Sequence, residues 1–72
     1  MKKLILRSEY ITLGQLLKAV GLVSDGVEAK IRIQNGEALV NGEEELRRGR
    51  KLYDGDKVLF EGEEILVLDK KA

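Results

Sequence analysis

The dipeptide Asn41-Gly42 narrows the choice of fold more than any other feature of this chain. Both central residues of a type I′ turn need positive φ, which asparagine and glycine reach at least cost, so the pair reads as a tight turn after a strand. That strand is the short apolar run Ala38 to Val40. Gly36 precedes it and follows a run of helical periodicity, so it suits the position just past a helix end. After the turn come Glu43, Glu44, Glu45 and Leu46, then Arg47-Arg48-Gly49-Arg50-Lys51. This last cluster has four cations in five residues and no acid, while the other nine of the thirteen basic residues are scattered among acids. It is the chain's one candidate binding feature.

Upstream, Lys2 to Arg7 reads as a strand. Its contiguous Leu4, Ile5 and Leu6 imply burial on both faces or a short central strand. Ser8 to Ile11 connects. Thr12 and Gln15 match a capping box, and Leu13, Leu16, Leu17 and Val20 then form one apolar helical face that Gly21 ends. Ile11 staples against Leu16 or packs separately; the pattern leaves both open. A second helix starts with Ser24 or Asp25 as its cap. Val27 with Ile31 and Ala29 with Ile33 are i,i+4 pairs on adjacent faces, with Lys30 at the edge of that stripe. A connection of about four residues makes the two helices a hairpin. Asp54-Gly55-Asp56 and Glu61-Gly62 are turns around a strand, Lys57 to Phe60. Glu63 to Leu68 is the last strand, with Ile65 and Val67 on one face, and Asp69 to Ala72 is a polar tail expected to fray. The expectation is one α+β domain over residues 1–72, a two-helix hairpin packed on a small, mainly antiparallel sheet.

Composition excludes several functions. The chain has no cysteine and no histidine, so disulfides, thiolate metal sites and the commonest general base and metal ligand are absent. Ser8 and Ser24 have no base beside them in sequence, and no carboxylate pair is marked out as held in a dry cleft, so no enzyme and no cofactor are expected. Asp54 and Asp56 lack the spacing of a calcium loop, so no metal is expected either. The apolar run near Met1 is too short for a signal peptide or a membrane span, which makes a cytoplasmic, soluble protein the default. Formal net charge is zero, which weighs against a generic polycation but leaves room for a local patch within a Debye length of about 8–10 Å.

Ala29, Ile33, Gly36, Val40-Asn41-Gly42 and the Gly55-Asp56 turn before Val58 together resemble a known pattern. It is that of the small RNA-binding domain named after ribosomal small-subunit protein four, the S-four domain, over roughly Thr12 to Phe60. Arg47 to Tyr53, with Ile11 to Gln15 upstream, is similar to a narrower branch, the stand-alone bacterial S-four-like proteins of the YaaA and YbcJ type. The resemblance implies an αL-motif fold, structured RNA (ribosomal RNA in particular) as partner, a role in ribosome assembly, and Lys30 as the family's basic position after the helix alanine. Two positions depart from the family. Asp25-Gly26 stands where many members open the second helix with Ser-Arg, and Glu43 to Glu45 stand where many place a lysine after Asn-Gly.

The candidate site is therefore Lys30, Arg47, Arg48, Arg50 and Lys51. Guanidinium forks match two phosphate oxygens, and lysine supplies a mobile point charge. Five phosphate contacts would give a slope of log K on log salt of about −3 to −4.5. The same run also reads as a solvated loop whose arginines pair with Glu43 to Glu45. Tyr10 and Tyr53 read as base-stacking residues or as core-margin tyrosines, and Asn41 as a turn residue. The expected function is non-catalytic binding of structured RNA by a monomer. The alternative is a module that docks on a ribosomal or other RNA-associated protein.

Overall fold

Two capped helices and three tight turns set the architecture. The computed structural model describes residues 1–70. Thr12 Oγ1 accepts from the Gln15 N–H and Gln15 Oε1 accepts from the Thr12 N–H, a complete capping box for α1 (Leu13–Ala19). The helix ends where Gly21, at φ +78°, donates to Lys18 O and Leu22 donates to Leu17 O. Asp25 rather than Ser24 caps α2 (Gly26–Gln34), through Oδ1 and the Glu28 N–H, while Glu28 reaches back to the Ser24 N–H. Gly36, at φ +79°, closes α2 in the same way: Gly36 N–H donates to Ile33 O and Glu37 N–H to Arg32 O. These are Schellman ends, which need a left-handed residue just past the helix.

A five-stranded sheet runs in the order β1 (Lys2–Leu6), β7 (Glu63–Asp69), β6 (Lys57–Phe60), β3 (Ala38–Val40), β4 (Glu43–Glu44). Only β1 and β7 are parallel; the other neighbours are antiparallel. Asn41 and Gly42 both have positive φ, and Val40 faces Glu43 across their turn. Glu61 and Gly62 repeat that geometry between β6 and β7. A separate two-stranded ladder joins β2 (Ile11–Thr12) to β5 (Lys51–Leu52), pairing Ile11 with Leu52 and Thr12 with Lys51. Leu13, Leu16 and Leu17 of α1 and Ala29 and Ile33 of α2 are buried in one cluster with Val58, Phe60, Ile65 and Val67 of the sheet. The molecule is an α+β fold, two helices on a mainly antiparallel mixed sheet.

Three expectations are corrected. β1 is an edge strand, not a central one, and Ile5 is 53% exposed; alternation turns Leu4 and Leu6 to the core and Ile5 away. Val27 and Ile31 are 67% and 54% exposed, because α2 spends its Ala29–Ile33 face on the core. Asp69 does not fray: it ends β7 opposite Leu6, and its N–H donates to Asp54 Oδ1 at 2.7 Å. Lys71 and Ala72, the end of the expected tail, lie outside the described residues.

Arg32 ties α2 to the turns around it. Its guanidinium pairs with Glu28, Glu37 and Glu61 and lies 4.6 Å from the centre of the Phe60 ring. Hydrogen bonds that it donates to Glu37 and then to Glu61 raise its pKa, against a smaller opposing effect of burial.

Candidate nucleic-acid interface

The basic loop is anchored by its own carbonyls. The first N–H groups of a helix have no partner inside it. Here the Leu13 N–H donates to Arg50 O at 2.9 Å and the Gly14 N–H to Arg48 O at 3.0 Å. The Arg50 N–H returns to Arg47 O at 3.2 Å, which closes the loop into a turn. Loop and helix approach so closely that a Cβ on Gly14 would stand 2.6 Å from Arg48 Cγ, so glycine is required by space, not by φ. The β2–β5 ladder sets this approach, and it is the element the sequence reading lacked.

From that fixed backbone the cations diverge. Arg47 and Arg50 turn to one acid: Arg47 donates to Glu45 Oε2 at 3.0 Å, and Arg50 donates to Glu45 Oε1 at 2.7 Å. Glu45 is buried, at 7% exposure, while neighbouring Leu46 is 50% exposed. Hydrogen bonds from Arg47 and then Arg50 pull the Glu45 carboxyl from its ordinary 4.5 down to about 2, against the opposing pull of burial. The same hydrogen bond raises the pKa of Arg47. Glu43 and Glu44 stay on the exposed edge strand β4, so of the acids in the run only Glu45 joins these arginines.

This pair of facts fixes a pH dependence. A carboxyl whose pKa is lower in the folded chain adds stability that is complete above its unfolded value, near 4.5, and lost as pH falls through about 2. The expected contribution is on the order of 2 kcal/mol, allowing for the solvent around Arg47. Urea unfolding of the parent chain and of Glu45→Gln between those two pH values checks it. The parent should lose more stability than the variant as pH falls, and equal slopes would remove Glu45 as the acid-sensitive group.

Arg48 goes elsewhere. Its Nη1 donates to Gly26 O at 3.4 Å, so a guanidinium stands at the start of α2 although the sequence has no arginine there. Lys30 is exposed and follows Gly26 by one helical turn on the same stripe, about 6 Å along the axis. Arg48, Gly26, Gly14, Gln15 and Lys18 line a shallow cleft of about 230 Å³ with no acidic residue in its wall. Lys18 and Gln15 were not among the predicted residues; an exposed lysine on α1 has no signal of its own until the loop is docked beside it. Lys51 faces a third direction, with Nζ 4.9 Å from the centre of the Tyr10 ring. The structure thus brings Arg48 to the start of α2, one helical turn before Lys30, turns Arg47 and Arg50 to Glu45, and sets Lys51 over Tyr10.

Other predicted features have structural partners. Asn41 bonds Asp56 through Nδ2 and accepts from the Lys57 N–H through Oδ1, so it joins two turns. Asp56 also accepts from the Tyr53 N–H. Among the described residues no group of three or more His, Cys, Asp or Glu is placed to hold a metal, and no helix is long and apolar enough to cross a membrane.

Comparison with known proteins agrees with this fold. A protein of Bacillus subtilis named "Probable ribosome maturation protein RlbA" is 51% identical over 55 residues, 76% of this chain and 78% of that protein. A protein of Escherichia coli named "Putative RNA-binding protein YbcJ" is 36% identical over 59 residues, 82% of this chain and 84% of that protein. The family model described as the S4 domain, the S-four domain above, matches residues 4–68. With a match over that span and relatives at this identity, the chain belongs to the S4 domain family.

Proposed function

We propose that this protein is a non-catalytic RNA-binding protein of the cytoplasm that recognises structured ribosomal RNA as a monomer and acts in ribosome assembly. The observation that carries the reading is the acid-free cleft, lined by Lys18 from the last turn of α1 and by Arg48, which reaches Gly26 at the start of α2, one helical turn before Lys30. The loop that presents Arg48 is held by the N-terminal amides of α1, so its cation is positioned before any partner arrives. Few amides or aromatics accompany the cations, so recognition rests on shape and phosphate rather than on base sequence. Membership of the S4 domain family and the names of the two relatives support RNA as the partner and ribosome maturation as the process.

The test is binding to a structured ribosomal RNA fragment across a salt series. Lys18, Lys30 and Arg48 as three phosphate contacts predict a slope of log K on log salt of about −2 to −3. All five residues of the initial site set would give the steeper value derived from sequence, so the slope also reports whether Arg47 and Arg50 stay with Glu45. Absence of RNA binding at low salt would overturn the reading. The exposed pair Val27 and Ile31, flanking Lys30, favours the protein-docking alternative in that event.

A further inference from the structure

We propose that Tyr10 and Tyr53, with Lys51 and the groove beside them, form a subsite for one unpaired nucleobase of the bound RNA. The inference rests on the RNA-binding reading above and adds a second contact region to it. The two rings lie 5.9 Å apart at 51°, and they are 38% and 44% exposed. They meet because β2 and β5 pair: Tyr10 precedes the first strand and Tyr53 follows the second. Tyr10 also lines a groove of about 560 Å³, within the usual range of roughly 300–1,000 Å³ for small-ligand sites, and Tyr53 adjoins it through its ring contact with Tyr10. Ile5, Leu4 and Ala19 give it apolar walls, and Arg7, Tyr10 and Gln15 give it polar ones.

The chemistry of the groove selects its occupant. A nucleobase offers a flat π face for an exposed aromatic ring and polar edges that need partners. Gln15, which lines the groove, spends Oε1 on the Thr12 N–H, so its NH₂ is the group it has left to donate. Ser8 donates its hydroxyl to Tyr10 O, which holds the Tyr10 backbone and keeps lone pairs on Ser8 Oγ as acceptors. Arg7 in the wall and Lys51 over the Tyr10 ring suit the phosphate attached to that base, and no residue lining the groove is acidic. A paired base keeps its faces in the stack, so only an unpaired nucleotide can enter.

The chain has two tyrosines, which gives a direct readout. Protein made with meta-fluorotyrosine shows one fluorine resonance per ring, assigned with Tyr10→Phe. Two RNAs are titrated, a hairpin with a single-stranded loop and a fully paired duplex, while anisotropy of a label on each RNA follows overall binding. The expected result is that both resonances shift with the hairpin, in step with anisotropy, and stay in place with the duplex. Tyr10→Leu and Tyr53→Leu should each weaken hairpin binding by roughly tenfold, as expected for loss of one base stack, with duplex binding unchanged. Tyr10→Phe and Tyr53→Phe should retain the parent affinity, which separates stacking from damage to the fold. If anisotropy shows binding of both RNAs while the resonances do not move and the leucine variants bind as the parent does, the subsite is wrong and the RNA reading stands. If neither RNA binds at low salt, the RNA reading itself fails. Resonances that move only on adding an extended apolar peptide would overturn the proposal in favour of a protein strand beside β1.

Discussion

Changing Arg47, Arg48 and Arg50 together to glutamate is expected to weaken binding of structured RNA by roughly a hundredfold or more at about 0.1 M salt. Each lost phosphate contact removes close to a factor of ten there, and each new carboxylate adds repulsion. The three residues should not contribute equally. Arg48 donates to a neutral carbonyl at the start of α2, whereas the ion pairs of the loop are made by Arg47 and Arg50. Arg47 and Arg50 share Glu45, and the trio carries a net single positive charge. Arg48→Glu alone should therefore account for more of the loss than Arg47→Glu or Arg50→Glu alone. Glutamate at 47 and 50 would also face the buried Glu45 carboxylate, so the triple change belongs in a Glu45→Gln background as well as in the parent. Anisotropy titrations, with thermal melts to confirm folding, read the result. Parent-like affinity in the folded triple variant would remove the loop from the interface.

Phe60→Ala is expected to cost the chain most of its stability. Phe60 is fully buried where β6 meets the helices. Truncating a buried phenylalanine costs about 3–5 kcal/mol through lost transfer energy and the cavity left behind. The ring also lies under the Arg32 guanidinium, and losing that contact adds about 0.5–2 kcal/mol. A domain of 72 residues has a total stability of roughly 4–11 kcal/mol, so most of the margin is spent. Urea unfolding followed by far-ultraviolet circular dichroism checks it; a midpoint within experimental error of the parent would show that the core repacks around the gap. Phe60→Leu, which keeps most of the volume, should fall between the two.

Caps and turns were legible because their signals are local. Thr12 with Gln15, Gly21, Gly36, Asn41-Gly42 and Glu61-Gly62 each do in the structure what their neighbours in sequence suggest. Placement within the sheet was not legible. Leu4-Ile5-Leu6 looks central by composition, yet the strand lies at the edge, because strand order depends on pairing with residues more than sixty positions away. The candidate site divides in the same way. The loop could be read as cationic, but not the direction of each cation. Hydrophobicity places Leu46 inside and Glu45 outside, and the structure reverses them because two guanidinium groups satisfy the buried carboxylate. The docking of the loop on α1 depends on a ladder of two residue pairs, too short to leave a periodic pattern.

The parallel pairing of β1 with β7 has a kinetic consequence. Of the described strands β1 comes earliest in sequence, and its neighbour in the sheet, β7, comes latest. Joining them closes the longest loop in the sheet, and pairing across so many residues is expected to be a slow step of folding. Lys2 and Lys3, at the head of β1, put charge on that edge, which disfavours pairing with a second chain until β7 takes the place.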